Sequence, residues 1–133
     1  MELARPLSVT FHRAFDWTRD PFEALDSLIE VGVDRILSSG QASRAALGIE
    51  LLVELQKRAK NRLEILPGGG INASNITKFK ALRFSAVHTS ASEITVGKGV
   101  GDIPMNTPKM LAEGIRIESD LERIQNLVGL INN

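Results

Sequence analysis

The sequence predicts an α/β protein of parallel strands, and three observations carry that prediction. Four short β-branched or apolar runs recur along the chain, at Ser8–Phe11, Asp34–Leu37, Leu63–Leu66 and Ala86–Thr89. Each run ends in a polar or glycine-rich turn and then opens a helix. Strands that alternate with helices pair in parallel, because a parallel crossover needs a long connection. The turns His12–Asp16, Ser38–Gln41, Pro67–Gly70 and Ser90–Ser92 then all fall at the C-terminal ends of their strands. That is the rim on which open α/β sheets and barrels place their chemistry. Four such units are half of an eight-stranded barrel, so the expectation is one partial domain over residues 1–133, a half-barrel. At 133 residues the chain falls well short of the roughly 250 typical of a closed (β/α)8 barrel.

The elements follow in order. Ser8-Val9-Thr10-Phe11-His12 alternates, so Val9 and Phe11 share one face while Thr10 and His12 share the other, which in a barrel is the lumen. Asp20 caps a helix that has Pro21 at its first position and Glu23 reaching back, a capping-box arrangement. Leu25, Leu28 and Ile29 form its buried stripe, and Gly32 supplies the left-handed stop. A second helix is expected from about Leu47 to Lys60, with Leu47, Leu51 and Leu55 at helical spacing. Asn72 can cap the next helix, whose Ile76 and Phe79 face inward. Glu93–Pro108, with Gly97, Gly99, Gly101, Pro104 and Pro108, reads as a long loop. Ile115–Ile117 reads as a short extended segment. A second capping box, Ser119 with Glu122, opens a last helix that is expected to bury Leu121, Ile124, Leu127, Val128 and Ile131.

Composition narrows the function. Lys plus Arg and Asp plus Glu both number 16, for a formal net charge of zero. No electrostatic excess favours nucleic acid or an anionic membrane as a partner. Cysteine is absent, which excludes disulfides and thiolate metal sites and suits a reducing compartment. No apolar stretch approaches the roughly 18 residues of a membrane span, and Met1–Pro6 lacks the apolar core of a secretory signal. The expectation is a cytoplasmic globular domain.

The rim residues suggest chemistry. Gly68, Gly69 and Gly70, with Asn72 at the following helix start, can offer bare backbone N–H groups to an anion. The same run also suits a tight strand-to-helix turn that needs positive φ and close packing. Neither a P-loop nor a dinucleotide fingerprint is present. His12, Arg13 and Asp16 form a candidate catalytic cluster with His88. Arg13 can grip a carboxylate or phosphate, a histidine can move a proton near neutral pH, and Asp16 can orient either. The plainer reading is that Arg13 and Asp16 pair as a structural clamp. His12 and His88 could also serve as metal ligands, but two imidazoles without a third donor leave the metal unknown. Ser38, Ser39 and Ser90 can orient a substrate; as nucleophiles they lack the G-x-S-x-G context. Met1, Met105 and Met110 lack the spacing of a soft copper site.

Four blocks, Val9–Asp16 (V-T-F-H-R-A-F-D), Asp34–Gly40, Leu66–Ile71 and His88–Ala91, together resemble the CutC family of copper homeostasis proteins. The order and spacing match from about Pro6 onward. The resemblance implies a (β/α)8 TIM barrel, cytoplasmic and often dimeric, of which this chain would be the C-terminal half, about strands five to eight. It implies a role in copper homeostasis with copper as the only cofactor suggested. The cysteines to which copper binding in some members is ascribed are absent here. The rim itself resembles an enzyme site for a small phosphorylated or carboxylated molecule, and a half-barrel without independent function is the third reading. A half-sheet leaves two edges and an inner face open. The expected partner is therefore a second copy in a homodimer, or a missing N-terminal half.

Overall fold

The computed structural model describes residues 2–96 and 115–132. Strand β1, Thr10–Phe11, leads through a 3-10 turn, Arg13–Trp17, into helix α1, Pro21–Glu30. Strand β2, Arg35–Ser38, is followed by α2, Ile49–Ala59; strand β3, Glu64–Pro67, by α3, Ile76–Ala81. The three strands pair in parallel in the order β1-β2-β3, as alternation with helices requires. Beyond them, β4, Ser92–Val96, and β5, Ile115–Ser119, form an antiparallel ribbon, and α4, Leu121–Asn132, closes the described chain.

Register separates the two sheet faces. Phe11 lies beside Ile36, and Ile36 beside Ile65. These three apolar residues face the helices and join a core built from Phe15, Leu25, Leu52, Leu55, Ile76 and Phe79. Thr10, Arg35 and Glu64 line up on the opposite face, because side chains alternate along a strand. There Arg35 Nε stands 3.6 Å from Glu64 Oε2, Arg35 Nη2 donates to Ser8 Oγ, and Ser85 Oγ donates to Glu64 Oε1. Thr10 and His12 are both exposed on this second face, as the alternation anticipates.

Helix α1 begins at the expected Asp20 cap, but Glu23 does not reach back: its carboxylate pairs with Arg19 at 3.1 Å. The Asp20 carboxylate accepts from Phe22 N–H and Glu23 N–H at 2.8 and 3.1 Å, satisfying two donors that a helix start leaves free. Gly32 follows at φ +79°. The other boundaries differ from expectation. Helix α2 starts at Ile49, because Leu47 N–H and Gly48 N–H both donate to the Arg44 carbonyl and close a separate turn. Leu47 is therefore exposed, and the buried stripe is Leu52, Leu55 and Ala59.

The fourth run, Ala86–Thr89, contributes one parallel bridge, Gly68 to His88, rather than a strand. His88 N–H donates to the Pro67 carbonyl at 2.8 Å, but no ladder extends from it. Ser92–Val96 is a strand and not the start of a loop, paired with Ile115–Ser119 through contacts such as Ile94 opposite Ile117. That pairing keeps Ser119 extended, so Asp120 caps α4 instead, its carboxylate accepting from Arg123 N–H at 2.7 Å. Of the five apolar residues expected to be buried on α4, only Leu127 is; Leu121, Ile124, Val128 and Ile131 stay exposed. Gly97, Gly99, Gly101, Pro104, Met105, Pro108 and Met110 lie outside the described residues, as does Met1.

Candidate functional site

The site starts with a carboxylate. Asp16 sits in the 3-10 turn after β1, its side chain only 6% exposed. One oxygen accepts from Ser38 Oγ at 2.6 Å and from Gln41 N–H at 3.2 Å. The other lies 2.8 Å from Arg13 Nε and 2.9 Å from Ser39 Oγ, and Ser39 N–H reaches both oxygens at 3.1 Å. Burial alone would push this carboxyl up. The donors from Ser38, Arg13, Ser39 and Gln41 outweigh it and hold the group below its ordinary value of 3.8, as hydrogen bonds to the charged form do. Asp16 thus ties the turn after β1 to the turn after β2.

Arg13 is aimed by this arrangement. Its Nε is held by Asp16 and its Nη2 donates to Ser39 Oγ at 2.6 Å. Ser38 and Ser39 are both fully buried and anchor the cluster. The remaining edge of the guanidinium, at Nη1, lies over Gly69. A Cβ placed on Gly69 would come within 3.2 Å of Arg13 Nη1 and 3.3 Å of its Cζ.

Each glycine of the triplet makes room for a different side chain. A Cβ on Gly68 would run into Leu37 and come within 3.2 Å of the His88 Cβ; one on Gly70 would meet the Arg44 Cγ and Cδ at 3.2 and 3.3 Å. Gly69 and Gly70 also have φ of +105° and +74°, a region that disfavours residues with a Cβ. The three glycines therefore bring His88, Arg13 and Arg44 against one turn. Gly68 itself remains in the sheet, its N–H donating to the Ser38 carbonyl at 2.9 Å. Only Gly69 and Gly70 turn out of it.

The other sequence candidates divide. His12 Nδ1 accepts from Ala14 N–H at 3.1 Å and caps the 3-10 turn, which leaves Nε2 as its outward nitrogen. Asn72 does not cap α3. Its Oδ1 accepts from Ser74 N–H and Oγ, closing a turn ahead of the helix. Asn75 precedes α3, and its amide donates to the Gly70 carbonyl at 2.9 Å. Asn72 and Ser90 instead line a separate cavity of about 310 Å³ with Ser74, Ser92, Arg123 and Asn126. Arg44 carries no sequence signal: a lone arginine in a turn-rich segment has no periodicity to place it over Gly70.

Parallel β-α units with an arginine held over a glycine turn at the C-terminal ends of the strands define an α/β protein with a polar rim cluster. The CutC family profile matches residues 1–93. A CutC family protein of Parabacteroides distasonis is 46% identical over 129 residues, covering 94% of this chain and 53% of its own length. One from Bacteroides fragilis (strain YCH46) is 51% identical over 94 residues, covering 70% and 38%. A crystal structure of CutC from Streptococcus agalactiae, assigned to copper homeostasis, aligns with a TM-score of 0.60 at 29% identity, over 66% of this chain and 44% of that one. The chain belongs to the CutC family, a family of TIM barrels. It spans about half the length, or less, of these relatives. Among the described residues, no helix is long and apolar enough to cross a membrane.

Proposed function

We propose that this chain supplies the C-terminal half of a CutC-type (β/α)8 barrel, its three strands and the Gly68–His88 bridge standing at about the positions of strands five to eight. It works in the cytoplasm in the copper-homeostasis role by which the family is named, and its rim binds a small phosphorylated or carboxylated anion. The observation that supports this reading is Arg13, fixed by a saturated Asp16 with its free edge over Gly69. A guanidinium that is already oriented loses less freedom on gripping an oxyanion.

A resident copper ion fits the donor set poorly. Asp16 is filled by protein donors, and His12 Nδ1 is engaged by Ala14 N–H. Cysteine is absent, and among the described residues no three His, Asp or Glu side chains gather. Copper would then be met only at single imidazoles, His12 Nε2 or His88. The rim also suits an enzyme acting on such an anion, with His88 beside Gly68 as the group that moves a proton. In this reading the open sheet face and the free edge of β1 are covered by a second copy of this chain or by a missing N-terminal half, as parallel sheets are covered on both faces.

Calorimetric titration with inorganic phosphate tests the rim. Binding that falls at least about tenfold in Arg13→Gln is expected for loss of a charge-assisted contact; equal binding by the variant would contradict the reading. Parallel copper titrations of His12→Ala and His88→Ala separate the metal role: strong binding lost in both would favour a copper centre over the anion rim.

A further inference from the structure

The anion site just described rests on Arg13, whose charge is already balanced by Asp16 at 2.8 Å. A site made of that pair alone carries directional N–H donors and no net charge. Arg44 supplies what the pair lacks. Its aliphatic stem lies along Gly70, one residue from the glycine that Arg13 covers. Among the described residues no carboxylate lies within 4.0 Å of its guanidinium, unlike those of Arg5, Arg19, Arg58 and Arg123. Arg44 is exposed, so its head is free to turn toward an anion seated at the Gly69–Gly70 turn.

We propose that Arg44 is a specificity-determining residue of the rim: it provides the uncompensated positive charge that makes the site prefer a doubly charged phosphoryl group over a singly charged carboxylate. Arg13 and Arg44 divide the work. Arg13, rigid and neutralised, sets the orientation through its planar fork. Arg44, flexible and unpaired, sets the charge preference and the salt dependence, because a Coulomb interaction scales with ligand charge and is screened by ions. Gly70 is part of this device, since a side chain there would displace the Arg44 stem. The proposal depends on the rim binding anions at all.

The experiment titrates inorganic phosphate and acetate, at a pH where phosphate is mainly dianionic, into the full chain and into Arg44→Gln and Arg44→Lys. Thermal melts confirm that the exposed substitutions leave folding intact. The parent chain is expected to prefer phosphate. Arg44→Gln is expected to cut phosphate affinity by about fivefold, the scale of one exposed charge contact, acetate affinity by about twofold in keeping with its single charge, and the preference therefore by about twofold, and to flatten the salt dependence. Arg44→Lys is expected to restore the preference. An unchanged phosphate-to-acetate ratio in Arg44→Gln would overturn the assignment of Arg44 while leaving the Arg13 site standing. Binding of neither anion by the parent chain would overturn both.

Discussion

The rim around Asp16 and the C-terminal ribbon with α4 satisfy their side chains in opposite ways. At the rim, buried polar groups are closed on one another: Ser38, Ser39, Arg13 and Gln41 converge on one carboxylate, and among the described residues no buried polar side-chain atom lacks a partner. In the C-terminal region the apolar side chains Ile94, Ile117, Leu121, Ile124, Val128 and Ile131 stand exposed, with Leu127 buried in the core and Leu130 packed against it. The contrast shows where this chain is self-sufficient. It closes the polar turn by itself and, among the described residues, leaves a wall of apolar surface open.

Breaking the rim should have the largest effect. Asp16→Ala removes the acceptor of two buried serines and of Arg13, and is expected to lower stability by about 3 kcal/mol, read by urea denaturation. Lowering the pH reaches the same group without mutation. Its folded-state value is depressed, so its contribution is present above the unfolded value of 3.8 and is lost as pH falls through the lower folded one. Acid unfolding of Asp16→Asn should therefore be less steep than that of the parent. Next comes Leu127→Ala, the one deep anchor of α4, expected to cost about 2 to 3 kcal/mol. Asp20→Ala, which deletes the α1 cap, should cost about 1 kcal/mol. Val128→Ala, on the exposed side of α4, should stay within about 0.5 kcal/mol in the monomer. If it instead weakened self-association in sedimentation, the open wall would be a contact between copies; a monodisperse monomer throughout would contradict the pairing of two half-barrels.

The sequence made the rim more legible than the wall. Local rules fixed the α1 cap at Asp20, the positive φ at Gly32, the parallel pairing of three strands and the closeness of Arg13 and Asp16. Each depends on residues a few positions apart or on alternation. What escaped depends on distant pairing. Ser92–Val96 becomes a strand only because Ile115–Ser119 lies beside it, and that pairing in turn moves the α4 cap from Ser119 to Asp120. Arg44 escaped for the same reason, since its place over Gly70 is set by how two loops fold together. The glycine triplet suits either a backbone cradle or a tight turn with close packing, and the positive φ of Gly69 and Gly70 and the closeness of His88, Arg13 and Arg44 fit the second of these. His12 turned out to be a cap as well as a rim residue, a role that its position before a 3-10 turn could have suggested.

The proposed capture of an oxyanion by a guanidinium held over Gly69 is a binding event at a defined turn. It is tested most directly by following backbone amides and arginine Nε groups in an NMR titration with inorganic phosphate. The largest shifts are expected on Gly69, Gly70 and the Arg13 Nε–H, and the glycine shifts are expected to vanish in Arg13→Gln. Shifts confined to the Asn72–Ser90 cavity, or no saturable shift at the glycines, would contradict it.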